Sequence, residues 1–337
     1  MEQQKKILVV LTGGTIGSVI DGDKHVIQTD KRSTYRLIRK YEDKFGVNQD
    51  FDIEQPYNIL SENINLDIWS KLCRYIWSKN LENYEGVIIT HGTDTYSYTA
   101  ALMSTLFDNY VDIPVVLVSS NYALGEPLSN GLSNFRNAVC FIRQETGREH
   151  GIFCIYENNK GVSEVFRGAE IMEADTCIDQ FGVYGGEIYG HMINESFVKD
   201  LNHKPHCIFD YSEKSLFKWK EDSRFDKDVI LIKNYPGMNY DYISLDSPKG
   251  KPAAVVQYLY HSGTACVDSE FPSNSFIEFA KKCNAQGINV YAAGIKRQLK
   301  DEYATMKAYE QANIIRLYDC SLEAAYANVL IKENLNN

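Results

Sequence analysis

The stretch Ile7-Leu-Val-Val-Leu-Thr-Gly-Gly-Thr-Ile-Gly17 decides the fold of this chain. Its five consecutive apolar residues predict a strand that is buried on both faces, as in a parallel sheet. The strand runs directly into a turn rich in glycine and threonine. The stretch Gly86-Val-Ile-Ile-Thr-His-Gly-Thr-Asp-Thr95 follows the same pattern. Because ligands bind at the carboxyl ends of parallel strands, the two turns predict one site at that edge of a sheet.

The rest of the chain extends this pattern into two domains. Strand, turn and helix patterns alternate over the first 150 residues, which predicts an α/β fold with a mostly parallel sheet. A total of 337 residues is also long for a single core. We therefore expect a larger N-terminal domain at residues 1–195, a connecting segment at 196–228, and a smaller C-terminal α/β domain at 229–337.

Composition excludes several classes of function. The net charge is −10 and no run of lysine or arginine occurs, which argues against a nucleic-acid-binding surface. No window approaches the roughly 20 apolar residues that a membrane span needs. The eight cysteines form no CxxC pair, which indicates reduced thiols and a cytoplasmic protein. The histidines lack metal-ligand spacing, so we expect no metal and no cofactor.

The first turn carries two candidate nucleophiles, Thr12 and Thr15. A threonine hydroxyl attacks acyl groups when a base removes its proton and donors stabilise the oxyanion. The alternative is a loop that binds phosphate. The order of the glycines matches neither GxGxxG nor GxxxxGKS/T, so the sequence favours the nucleophile.

The second turn places Thr93 and Asp94 just before a predicted helix that starts near Ser97. One interpretation is that Thr93 or Asp94 only caps that helix. The other is that a hydroxyl beside a carboxylate forms an activating pair for acid–base chemistry. The presence of a second threonine-rich turn at the same sheet edge favours the activating pair.

The segments Thr12-Gly-Gly-Thr-Ile-Gly17 and Thr90-His-Gly-Thr-Asp-Thr95 resemble the two signature segments of the bacterial-type L-asparaginases, the asparaginase/glutaminase family. Ile59-Leu-Ser-Glu-Asn63 and Tyr235-Pro-Gly237 also resemble segments of that family, the latter those of its cytoplasmic-type members. The resemblance implies a two-domain α/β enzyme that assembles as a homodimer or homotetramer. It also implies hydrolysis of a side-chain amide through a threonine nucleophile, with a small amide or amino acid as the ligand.

The resemblance implies a role for each matching residue. Thr15 would be the nucleophile and Thr93 the second catalytic threonine. Asp94 would be the partner of Thr93 and would hold the ammonium group of the substrate. Ser61 and Glu62 would bind the amino-acid head of the substrate. These roles agree with the chemistry, because a carboxylate pairs with an ammonium group and hydroxyls bind a carboxylate.

Two catalytic positions of the family carry other residues here. The family has a tyrosine in the flap after the first turn, and the corresponding position is His25. A histidine there could act as a base. The family also has a lysine where this chain has Met172 or Glu173, and no lysine occurs between Lys160 and Lys199.

Two positions that bear on substrate recognition also differ. Glu62 stands where a glutamine is common, and it adds negative charge near the expected carboxylate of an amino acid. Asn130 stands where an aspartate is usual. Arg167 is a candidate for supplying compensating positive charge.

We therefore expect an asparaginase-like amidohydrolase that acts on asparagine or a related small amide. One alternative is a divergent relative with a different amide substrate. The other is a non-catalytic homologue that binds an amino acid or has a regulatory role.

Overall fold

A computed structural model describes residues 5–17, 19–21, 26–28, 31–46, 51–144, 149–176, 178–207, 219–297 and 303–335, with backbone alone for 19–21, 26–28 and 31–34. These residues form two compact units. The first comprises the described residues of Met1–Pro205 and Lys218–Ser223, and the second those of His206–Phe217 and Arg224–Asn337.

The first unit combines strands, helices and short 3-10 turns. Its strands are β1 (Lys6–Val10), β2 (Val19–Asp21), β3 (Val26–Gln28), β4 (Phe51–Glu54), β5 (Tyr84–Thr90), β6 (Pro114–Val118), β7 (Gly151–Glu157), β8 (Ser163–Arg167), β9 (Ile171–Asp175), β10 (Gln180–Val183), β11 (Gly190–Ile193) and β12 (Ser196–Lys199). Its helices are α1 (Lys31–Phe45), α2 (Leu66–Trp77), α3 (Tyr96–Phe107) and α4 (Gly131–Ile142). Its 3-10 turns are Thr15–Gly17, Ser61–Asn63 and Leu81–Asn83.

The main sheet of the first unit is mostly parallel. Within the described residues its order is β12-β11-β8-β7-β6-β5-β1-β4. Strands β4, β1, β5, β6 and β7 run parallel, with Val10 level with Glu54 of β4 and with Ile89 of β5. Strands β8, β11 and β12 continue the sheet in antiparallel fashion. The carboxyl ends of the parallel strands therefore open at one edge.

Burial of β1 explains why its sequence is continuously apolar. Ile7 and Val9 belong to the core that also contains Phe135 of α4. Their neighbours Leu8 and Val10 point to the other face and are fully buried as well. Both faces of the sheet are thus covered at this strand, as parallel sheets require.

The second unit is a smaller parallel α/β structure. Its strands are β13 (Val229–Lys233), β14 (Ala254–Tyr258), β15 (Asn289–Ile295) and β16 (Ile315–Tyr318), and they pair in that order in parallel. Its helices are α5 (Phe276–Asn284), α6 (Ala304–Gln311) and α7 (Leu322–Leu335), and its 3-10 turns are Tyr240–Tyr242 and Pro272–Asn274. None of the helices in the described parts of the chain is long and apolar enough to cross a membrane.

The predicted fold class is confirmed: an α/β chain with a large, mostly parallel sheet and a second parallel sheet. The segment expected to connect the domains begins with a regular element, because Ser196–Lys199 forms β12 and pairs with β11. Four residues are too few for a periodic signal, and the partner strand defines this one. The exact domain boundaries stay a prediction.

Candidate active site

Three loops meet at the carboxyl edge of the main sheet. The parallel pairing of β1 with β5 brings the turn after Val10 beside the turn after Thr90. The loop that contains Ile59 joins them, since Ile59 N–H donates to the carbonyl of Thr12 at 3.0 Å. In return, Gly14 N–H donates to the carbonyl of Ile59 at 3.1 Å. The structure thus brings together the segments that carry the predicted site residues.

Thr12 and Thr90 fasten the two strand ends to each other. The Thr12 N–H donates to Thr90 Oγ1 at 3.1 Å, and the Thr12 hydroxyl donates to the carbonyl of Thr90. Both residues are buried. Their hydroxyls are therefore part of the scaffold, which removes Thr12 as a candidate nucleophile.

Gly14 and Gly92 form the closest approach between the two turns. Gly14 has a φ of +78°, and a Cβ on it would lie 2.7 Å from the Gly92 Cα. A Cβ on Gly92 would lie 2.8 Å from the Ser61 Cβ. No side chain fits between these backbones, so glycine is required at both positions. The contact places Thr15 and Thr93, the next residue in each turn, on neighbouring segments.

We predict that Gly14→Ala lowers the free energy of unfolding by at least about 2 kcal/mol more than Gly161→Ala, measured by urea denaturation. Gly161 is a matched control because its φ is +75° and nothing lies within 4 Å of a Cβ built on it. Its replacement adds only the strain of the left-handed conformation. Equal losses in the two variants would show that the contact between the turns is not tight.

The hydroxyls of Thr15 and Thr93 are the ones that the scaffold leaves free. Both side chains are half-buried, and neither hydroxyl has a hydrogen-bond partner among the residues that the structure describes. Thr95 differs, because its hydroxyl donates to the carbonyl of Ser61 at 3.0 Å. Hydroxyls that are accessible and uncommitted can act on a ligand.

Asp94 is held by Ser61 rather than by the start of α3. The Ser61 hydroxyl donates to Asp94 Oδ2 at 2.7 Å, and the Asp94 N–H reaches Ser61 Oγ at 3.3 Å. Helix α3 has Thr95 at its N-cap position, and no side chain makes the capping hydrogen bond. The interpretation of Thr93 or Asp94 as a simple helix cap is therefore wrong.

His91 supports the second turn from below. It is 1% exposed, and burial lowers its pKa to about 4. Its Nδ1 lies 2.7 Å from the carbonyl oxygen of Gly92, so Nδ1 carries the proton of the neutral ring. Its Nε2 is buried without a partner in the described part of the chain. The sequence analysis missed this role, although the position of His91 between a buried strand and Gly92 is a signal of it.

The neutral state of His91 makes stability depend on pH. In the unfolded chain a histidine titrates near 6.5, whereas the folded chain resists protonation of His91 down to about pH 4. The unfolded state therefore binds more protons between these values. The stabilisation is complete above pH 6.5 and falls by about 3 kcal/mol as the pH is lowered to 4.

We predict that His91→Asn flattens the decrease in unfolding free energy between pH 6.5 and 4, because asparagine retains an N–H donor and does not titrate. His191→Asn, on the half-buried strand β11, is the control and should keep the wild-type slope. Denaturant unfolding at a series of pH values measures both. A wild-type slope in His91→Asn would contradict the buried neutral state.

The counterparts of the family lysine lie on β9. Met172 is half-buried and Glu173 is exposed. This strand packs near the start of α3, where the ring of Phe181 on the neighbouring β10 lies 5.1 Å from that of Tyr96. Strand β9 therefore reaches the region of Thr93 and Asp94 but supplies no cation there. His25 lies outside the described residues.

Arg167 does not supply charge to the site. Its guanidinium lies 3.2 Å from Asp108 Oδ2, donates to the carbonyl of His150 at 3.1 Å, and stacks over the ring of Phe153. The expectation that it compensates for missing positive charge is wrong, because a carboxylate distant in sequence binds it elsewhere.

Asn130 has a structural reason to be an amide. Its Oδ1 accepts from the Asn121 N–H at 2.9 Å, and its Nδ2 donates to the carbonyl of Glu157 at 2.8 Å. An ionised aspartate accepts hydrogen bonds but cannot donate one. The side chain at this position thus joins the loop after β6 to the end of β7.

No group of histidine, cysteine, aspartate or glutamate in the described ranges could hold a metal ion. The site that the fold defines is a set of hydroxyls and carboxylates at the edge of a parallel sheet. Residues 6–182, more than half of the chain, match the family model described as "Asparaginase, N-terminal". The chain belongs to the asparaginase family.

Solved structures share this fold. L-asparaginase I from Vibrio cholerae superposes with a TM-score of 0.74 at 22% identity, covering 99% of this chain and 94% of that one. The thermostable L-asparaginase from Thermococcus kodakarensis gives a TM-score of 0.71 at 20% identity, covering 97% of this chain and 92% of that one.

Curated relatives point to a second branch of the family. A glutamyl-tRNA(Gln) amidotransferase subunit from Sulfurisphaera tokodaii is 23% identical over 349 aligned residues, which cover 98% of this chain and 71% of that protein. The same amidotransferase subunit from Archaeoglobus fulgidus is 27% identical, and the alignment covers 78% of this chain and 61% of that protein. The chain thus matches only part of the length of these relatives.

Proposed function

We propose that this chain is an amidohydrolase that cleaves a small amide, with Thr15 as the nucleophile and Thr93 and Asp94 in support. One observation carries the proposal. Of the threonines in the two turns, Thr12, Thr90 and Thr95 are hydrogen-bonded to the scaffold, whereas the hydroxyls of Thr15 and Thr93 have no partner in the described residues. Membership of the asparaginase family supports amide hydrolysis as the reaction.

The proposed reaction proceeds in two steps. The Thr15 oxygen attacks the carbonyl carbon of the amide, and the hydroxyl proton passes to the nitrogen, which leaves as ammonia. Water then attacks the resulting ester, which releases the carboxylic acid and restores the Thr15 hydroxyl. Thr93 and Asp94 relay protons, and Ser61 holds Asp94 in position through their 2.7 Å hydrogen bond.

We predict that Thr15→Val lowers the rate of ammonia release by roughly 10³-fold or more, whereas Thr15→Ser keeps a measurable rate. Valine preserves the shape of the side chain and removes the attacking oxygen, and serine retains that oxygen. Coupled-enzyme detection of ammonia measures all three proteins with asparagine, glutamine and a panel of small amides. A Thr15→Val rate within tenfold of the wild type would contradict the nucleophile assignment.

A second candidate is an amidase that works within a larger assembly. The archaeal relatives are named as subunits of an amidotransferase, and the similarity extends over 98% of this chain. The net charge of −10 opposes direct contact of this chain with tRNA. Asparagine or glutamine hydrolysis by the isolated chain supports the independent enzyme. Activity that appears only with a co-purified protein supports the larger assembly.

The non-catalytic alternative is motivated by β9, which carries Met172 and Glu173 instead of lysine. It predicts tight binding of asparagine or aspartate by calorimetry together with no ammonia release from any amide. We propose a cytoplasmic homodimer or homotetramer without a cofactor as the working assembly, which light scattering of the purified protein tests.

A further inference from the structure

Two carboxylates stand at the mouth of the proposed site. Asp94 is exposed, and its Oδ2 accepts the hydroxyl of buried Ser61 at 2.7 Å. Glu62 is the residue after Ser61, and its side chain is also exposed. Consecutive α-carbons are only about 3.8 Å apart, so both carboxylates belong to the same small region. A ligand that reaches the free hydroxyls of Thr15 and Thr93 meets this negative charge.

No cation within the described residues neutralises this region. Neither Asp94 nor Glu62 takes part in an ion pair there. The cations of the first unit are engaged elsewhere: Arg167 binds Asp108 at 3.2 Å, and Lys79 binds Glu54 at 2.6 Å. Strand β9 contributes neither lysine nor arginine.

We infer that the site selects primary amides that carry an ammonium group and lack a free carboxylate. This inference rests on the proposed function and specifies its substrate class. Asp94 attracts an ammonium group, and Glu62 repels a carboxylate placed beside Ser61. An amino acid such as asparagine carries both groups, so one of its charges always faces repulsion. An amide without the carboxylate gains the attraction and avoids the repulsion.

A series of four amides separates the two charges. Asparagine carries ammonium and carboxylate, β-alaninamide carries the ammonium alone, succinamate carries the carboxylate alone, and propionamide carries neither. We expect kcat/KM for β-alaninamide to exceed that for asparagine by roughly tenfold, with succinamate the poorest substrate of the four. The preference shrinks in 1 M salt, because both carboxylates are exposed.

Glu62→Gln tests the residue that sets the preference. It should raise kcat/KM for asparagine and succinamate by roughly tenfold and leave that for propionamide unchanged. Glu82→Gln is the matched control, because it makes the same change in net charge at an exposed position just before β5, at the opposite edge of the sheet. This control should keep the wild-type order of substrates.

Binding separates this inference from the proposed reaction. Calorimetry with Thr15→Ala reports affinity for the four amides whether or not catalysis occurs. Tighter binding of β-alaninamide than of asparagine, reversed by Glu62→Gln, supports the inference even if no amide is hydrolysed. A wild-type preference for asparagine that Glu62→Gln does not alter would overturn it and leave amide hydrolysis standing. Failure of all four amides to bind would also overturn it.

Discussion

The site depends on the backbone contact between Gly14 and Gly92. The parallel register of β1 and β5 brings these glycines together, and a Cβ on Gly14 would lie 2.7 Å from the Gly92 Cα. The turns can therefore stack without intervening side chains, and the residue after each glycine faces a shared edge. A buried strand, a glycine at positive φ and a second buried strand thus create one local geometry from segments that are distant in the sequence.

Neighbouring threonines divide the work of holding and reacting. Thr12 and Thr90 bind each other, Thr95 binds the loop of Ser61, and His91 supports Gly92 from within the core. Each of these groups satisfies polar atoms that burial would otherwise leave unpaired. The hydroxyls that remain are free because the scaffold is complete without them. The chemistry that we propose uses groups that folding does not require.

The sequence predicted the elements with local signals and missed the partners that are distant in the chain. The strand before Thr12 and the turn at Gly92 follow from apolar runs and glycine positions. The choice between Thr12 and Thr15 needed the register of two strands, which no local pattern encodes. Arg167 and Asn130 were misjudged for the same reason, because Asp108 and the Glu157 carbonyl determine what they do.

The central claim is that the Thr15 oxygen forms the covalent bond to the substrate. The most direct measurement is to quench the protein during turnover of asparagine or β-alaninamide, digest it, and locate the acyl group by mass spectrometry. We predict an ester on the peptide that contains Thr15, absent from Thr15→Val. An ester on Thr93 or Thr12, or turnover with an acyl group found elsewhere in the chain, would contradict the claim.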